Sequence, residues 1–187
     1  MQGAPPPSEV QASPPPPKEP EIKEEAQRLE LVTRLTAELA AGLAPEECLF
    51  HALAIMTAHL QAQHGFLLRV EGQEEVRILL ACGRDGTRVS QPSTLIAGEL
   101  IGEVLGGEPI FCANTVDDVR TNEYESVFQH NLRSVVVTPL RAAGTVAGML
   151  YIANPAPQFT QEKLRTIVSS FVPIFALGLF QCRTVTR

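Results

Sequence analysis

The side chains able to do chemistry in this chain are few and widely spread. Its four cysteines, Cys48, Cys82, Cys112 and Cys182, include no C-x-x-C pair. That spacing suits reduced thiols in a cytoplasm better than a disulfide framework. Asp117 and Asp118 are adjacent within NTVDDVRTNEYES, so their carboxylates point apart. Acid–base catalysis needs two acids converging on one concavity, and a solvated turn or helix-start cap is the role their position predicts. His51, His59 and His64 fall at helical and helix-end positions without acid or cysteine neighbours at ligand spacing, so no metal site is expected. The chain contains no G-x-S-x-G, no H-E-x-x-H and no G-x-x-x-x-G-K-[ST]. Gly102, Gly106 and Gly107 belong to a helix and its end, with no strand feeding them as a phosphate loop would require. Nothing here points to catalysis, and the expectation is a protein that is not an enzyme.

The elements that must position these residues follow from periodicity and punctuation. Residues 1–20 hold eight of the fifteen prolines with almost nothing apolar between them. Such a segment cannot bury enough surface to offset chain entropy, and it reads as a disordered tail of polyproline II character. In residues 21–43, Ile22, Ala26, Leu29, Val32, Leu35, Leu39 and Leu43 step by three or four and form one stripe of an amphipathic helix. One helix cannot bury its stripe alone: it packs on the chain's own last helix or pairs with a second copy. Ala44-Pro45-Glu46-Glu47 opens a second helix, with proline in the first turn and acids at the positive end of the dipole. FLLRV and VRILLAC predict an antiparallel hairpin, and Asp85–Gly86 a turn. GELIGEVLGGEPIFCA predicts a short helix stopped by Gly106–Gly107 and a strand after Pro109. LRSVVVTPLR and GTVAGMLYIANP are two further strands. Thr160 caps a last helix, in which Pro173 and Gly178 predict a kink or break. Residues 183–187 are a short tail. The order predicts an α/β sandwich around an antiparallel sheet.

Composition narrows the class. The chain has 187 residues, the length of one domain with accessory segments. It is 44% hydrophobic but only 5% aromatic, with no Trp, so Leu, Val, Ile and Ala must build the core. A net charge of −6 with scattered Lys and Arg argues against nucleic acid, which needs a clustered basic surface. The first residues lack the basic and apolar regions of a signal peptide. The apolar run VSSFVPIFALGLF is shorter than the ~18 residues a bilayer span requires. A cytoplasmic protein without membrane insertion is expected.

The order of helix, GEPI, acidic loop, LRSVVVTPL and GMLYIAN resembles the GAF domain family of small sensory and regulatory modules. The likeness covers about Ala44 to Gln181, which makes residues 44–182 the domain. It implies a central antiparallel sheet of five to six strands with helices packed on one face. It also implies a pocket, with the acidic loop and following helix as lid and the two strands as floor. Cys112, Tyr124, Phe128, His130, Arg133, Ser134, Thr138 and Asn154 are the pocket residues this implies, with Arg133 at the rim, able to meet an anion bidentately or to pair with Glu123 or Glu125.

Departures from the family's special cases are informative. Pro155, Lys163 and Leu164 stand where the cyclic-nucleotide signature has lysine, aspartate and glutamate. Cys112 is followed by Ala113 and not by the histidine that usually accompanies a bilin thioether. His130 lies near the proximal position of haem-binding relatives, but one residue closer to Arg133, which turns the ring by about 100° on a helix. Free methionine-(R)-sulfoxide reductase shares the fold; Cys82 and Cys112 could both face a pocket, yet the AGELIGE helix lacks its third cysteine. No kinase, AAA+ ATPase, DNA-binding or cyclase segment accompanies the domain. The resemblance therefore implies an orphan, single-domain protein similar to GAF domains of bacterial signalling regulators, its cofactor unknown. It would act as a homodimer through Leu29, Val32, Leu35 and Leu39 and contact a signalling protein, with or without a small ligand in its pocket; the alternatives are a ligand-specific receptor for haem or another small molecule, or a free methionine-(R)-sulfoxide reductase-like enzyme.

Overall fold

The computed structural model describes residues 19–41, 44–72, 75–142 and 144–184. Residues 1–18 of the expected proline-rich tail lie outside these, and its last two, Glu19 and Pro20, open the first helix. Helices α1 (Glu19–Ala40) and α2 (Pro45–His59) lead into strands β1 (His64–Glu71) and β2 (Glu75–Gly83). A single 3-10 turn (Pro92–Leu95), α3 (Gly98–Leu105), β3 (Ile110–Cys112) and α4 (Glu125–Gln129) follow. Strands β4 (Val135–Ala142) and β5 (Thr145–Ala153) and the long α5 (Gln161–Thr184) complete the chain. The five strands form one antiparallel sheet in the order β2-β1-β5-β4-β3. Pro139 sits in β4 beyond Val137, where β3 has ended and the strand is an edge on that side, the place where a missing donor costs least.

Both faces of the sheet are covered, so its inner strands are apolar at consecutive positions and not at alternate ones. Leu67, Leu80, Cys82, Phe111, Val136, Leu140, Leu150 and Ile152 face the long helices, where they meet Leu49, Leu53 and Met56 of α2 and Leu164, Val168, Phe171 and Phe175 of α5. Phe66, Leu68, Ile110, Cys112, Val135, Val137, Met149 and Tyr151 face the other way, toward Leu100 and Val104 of α3 and Val127 of α4. The long helices α1, α2 and α5 thus share one face, as expected, and short elements close the other.

Helix α5 begins as expected at a Thr160 cap: its hydroxyl accepts from Lys163 N–H at 3.3 Å and its carbonyl from Leu164 N–H at 2.9 Å. It then runs unbroken through Pro173 and Gly178, which corrects the expected break. Pro173 is exposed, so the carbonyl it leaves without a helical donor can meet water. Gly178 is a packing residue: a Cβ there would lie 2.7 Å from Cγ of Leu49 on α2. By length and composition α5 could cross a membrane, but Leu164, Ile167, Val168, Phe171, Ile174, Phe175 and Leu179 place one full stripe of it in the core.

Helix α1 differs in part from the pairing stripe. Leu35 is wholly buried within its own chain, and Leu31 and Val32 pack against the same cluster. The Leu35 carbonyl also accepts from Cys48 Sγ at 3.6 Å. Leu35 is therefore not available to a second copy. Leu29 is 54% exposed, and the Leu39 side chain lies outside the described residues.

Gly178→Ala tests the helix contact. Alanine favours a helix by about 1 kcal/mol over glycine, yet here its methyl must displace buried Leu49. A net loss of about 1–3 kcal/mol is expected in urea denaturation; a stabilised variant would show that α2 and α5 are not this close.

Candidate functional site

The face closed by short elements is lined by a cluster of buried apolar side chains. Tyr151 and Phe66 are fully buried there, edge to face with ring centroids 5.6 Å apart. The Tyr151 oxygen accepts from Ala97 N–H at 3.2 Å, and burial pushes its pKa up to about 12. Cys112 is buried beside them with Sγ 3.6 Å from Thr121 Oγ1. Thr121 has its hydroxyl proton on the Thr115 carbonyl at 3.1 Å, so the thiol is the donor. Burial raises the Cys112 pKa, which holds it as an inert thiol. Cys82 lies on the opposite face, its Sγ donating to Thr57 Oγ1 at 3.3 Å, its pKa likewise raised by burial. The sheet separates the two thiols, so they do not face one pocket. Among the described residues no three His, Cys, Asp or Glu side chains come together as a metal site would need.

The lid over this face is held by two carboxylates one turn apart on α3. Glu103 Oε1 accepts from Arg120 Nε at 2.6 Å, and Oε2 from the Tyr124 hydroxyl at 2.9 Å. Arg120 also reaches the Pro109 carbonyl at 3.4 Å. Glu99 accepts from the Ser126 hydroxyl; this bond, helped by His130, holds its carboxyl below the usual range. The hydrogen bond to Glu103 in turn raises the Tyr124 phenol. Arg120 thus fills the lid-holding role expected of Arg133, whose side chain pairs with neither Glu123 nor Glu125 among the described residues.

The structure splits the expected pocket set. Cys112 and Tyr124 belong to the closed face and its latch. Phe128 is 59% exposed on α4, turned out to solvent and not into an interior. Thr138 shares the parity of Val136 and Leu140, so it faces α2 and α5 on the other side of the sheet. His130 ends α4 and lines a hollow of about 300 Å³ with His64, Leu95 and Asn154. Arg133, Ser134 and Asn154 do come together, at the end of the sheet where five connections converge. They line a cleft of about 780 Å³ with Gln61, Gln63, Arg84 and Asn131.

Asn154 is the hub of that cleft. Its Oδ1 accepts from the backbone of Arg133 at 2.7 Å and of Ser134 at 3.3 Å. Its Nδ2 donates to Gln63 Oε1 at 2.7 Å and to the Asn131 carbonyl at 3.2 Å. The Ser134 hydroxyl donates to the Pro155 carbonyl at 2.8 Å. The amides Gln61, Gln63 and Asn131, with Arg84, were not expected at a site: single amides on separate loops leave no motif. The Glu99–Glu103 spacing was readable as one helical face, although its target was not.

The family model described as "GAF domain" matches residues 44–177. No curated protein sequence matches the chain. Among solved structures, the GAF domain of Acinetobacter phosphoenolpyruvate-protein phosphotransferase is 15% identical with a TM-score of 0.61, over 85% of this chain and 96% of that one. The A. aeolicus nlh2 GAF domain in an inactive state is 20% identical with a TM-score of 0.57, over 85% and 98%. A phycoerythrobilin-bound GAF domain from a cyanobacterial phytochrome is 14% identical with a TM-score of 0.63, over 87% and 100%. At these identities the likeness speaks for the fold.

The latch yields a titration. A phenol whose folded pKa is raised contributes stability that is complete below its ordinary value of 10 and lost as pH rises through the folded value. Phenolate absorbance is expected to show Tyr124 ionising above 10 and Tyr151 near 12. Glu103→Gln should bring the first step back toward 10 and leave the second in place. An unmoved first step would remove Glu103 as the partner of Tyr124.

Proposed function

The chain belongs to the GAF domain family, a family of sensory and regulatory modules, and from that premise we propose that it is a non-enzymatic signalling module acting as a homodimer through α1 and α5. The observation that carries this reading is the apolar surface left on two helices that pack against one another. Leu29 of α1 is 54% exposed, and Leu177 and Phe180 of α5 are 36% and 58% exposed. A second copy is the occupant that covers all three at once, because a two-fold interface uses the same patch on both partners. The dimer contact is then Leu29, Leu177 and Phe180, with Val32 at its edge and Leu35 beneath it.

The non-enzymatic part rests on the closed face. Its cysteines are buried thiols on opposite sides of the sheet, which speaks against a reductase-like role. His130 lies outside the apolar cluster that Tyr151 and Phe66 fill, which speaks against haem. The signal would be a change in how α1 packs on α5, passed by contact to a partner protein. Such a change requires a ligand or partner that binds one packing better than the other. Four free thiols, three of them buried, suit a cytoplasmic setting.

Native mass spectrometry with sedimentation measures the association directly. The wild-type chain is expected as a dimer at about 10 μM, an ordinary affinity for a regulatory interface. Leu29→Glu with Phe180→Glu should make it monomeric without lowering the melting temperature. A wild-type monomer at that concentration would end this proposal.

A further inference from the structure

The hydrogen bonding of the cleft at the end of the sheet fixes which groups its wall presents. The backbone N–H groups of Arg133 and Ser134 can only donate, so they fix Oδ1 of Asn154 toward them. The Asn131 carbonyl can only accept, so it fixes Nδ2 on the other side. The atom of Gln63 that meets this Nδ2 must then be its oxygen, which leaves the Gln63 amide N–H groups as donors. Arg84 uses Nε on the Ala62 carbonyl at 3.4 Å and keeps both terminal nitrogens. The Arg133 guanidinium has no partner among the described residues. No Asp or Glu lines the cleft; the nearby Asp117 carboxylate accepts from the Asn114 amide at 2.6 Å.

The wall is therefore an array of unmatched donors with two positive charges. It is also conformationally set. Gln61, Asn131 and Asn154, with φ of 48°, 50° and 51°, are the non-glycine residues with left-handed backbone among those described, and all three line this cleft. Such conformations persist where surrounding contacts fix them, and they gather at ligand sites.

We propose that this cleft binds a small oxyanion, a molecule whose carboxylate or phosphate group is held between Arg84 and Arg133 with Gln63 donating beside them. Guanidinium forks match both groups bidentately. The site is separate from the apolar cluster under the lid, none of whose buried residues line it. It also goes beyond the dimer reading: Pro157 and Gln158 of its wall precede α5, whereas Leu177 and Phe180 lie about 30 Å further along that helix.

Isothermal titration of the full chain at low salt, with inorganic phosphate and with citrate as probes, tests this. Binding in the millimolar range or tighter is expected, and Arg133→Gln should weaken it about tenfold. Arg84→Gln with Arg133→Gln should abolish it. Both arginines are exposed, so an unchanged circular dichroism spectrum and melting temperature are expected for these variants. Arg77→Gln, at an arginine paired with Glu71 and Glu75 on the β1–β2 hairpin, should bind like wild type. The probe that binds more tightly identifies the anionic group. No binding of either probe by the wild-type chain would overturn the proposal. So would affinity unchanged in the double variant, or lost equally in Arg77→Gln. The Leu29→Glu, Phe180→Glu chain should bind as wild type does, so failure of the dimer reading and failure of this one are distinguishable.

Discussion

Burial of the sheet on both faces is the constraint from which the rest of the molecule follows. Strands β1, β5 and β4 have no solvent side, so consecutive residues such as Val135, Val136 and Val137 are all fully buried. A layer of this kind has little room for polar groups, and those that occur must bring partners. Tyr151 is the instructive case: its ring fills the middle of one face, and its oxygen meets the Ala97 N–H just ahead of α3. Cys82 and Cys112 obey the same rule, each giving its weak donor to a threonine hydroxyl.

Polar chemistry is consequently displaced to the places where the strands stop. At one end Asn154 ties the chain leaving β5 to the chain entering β4 and to the loop before β1. A single amide with all its hydrogen-bonding capacity engaged can fix three connections at once, and a left-handed backbone at its own position lets it turn back over them. On the lid, Glu99 and Glu103 do similar work for α4 and the acidic loop. Their bonds are partly exposed, which makes them weak individually, and Val127 and Leu132 add the apolar contacts that seat the lid on the sheet.

Much of the fold was legible in the sequence, because apolar runs bounded by Gly, Pro and acidic turns mark strands and helices plainly. The hairpin of β1 and β2, the Gly106–Gly107 stop and the Thr160 cap were all readable this way. Side-chain direction was not. In strands apolar on both faces, alternation carries no sign, so nothing in SVVVTPL says that Thr138 faces the long helices while Val137 faces the lid. The same ambiguity hides the separation of Cys82 from Cys112. Gly178 misled for another reason: glycine marks both a helix stop and a close helix contact, and only the neighbouring Leu49 decides which. The cleft was the least legible feature, since amides scattered from Gln61 to Asn154 become a site only when five loops are brought to one place.

The pairing of β1 with β5 has a further consequence. It joins His64 to Ala153, so neighbouring strands come from distant parts of the chain, while the segment from residue 84 to residue 134 returns to the sheet through short β3 and a bridge from Arg88 to Cys82. Topologically that middle segment is an insertion into a frame made by α2, the first hairpin, the last hairpin and α5. It still supplies core to both faces, Phe111 to the long-helix side and Leu100, Val104, Ile110 and Val127 to the lid side. Assembly of the frame must wait for the end of the chain, because strand β1 lacks its inner neighbour until β5 has been synthesised. The two local hairpins can form alone, but the sheet is joined only when the long-range β1–β5 pairing closes, the kind of contact that slows folding.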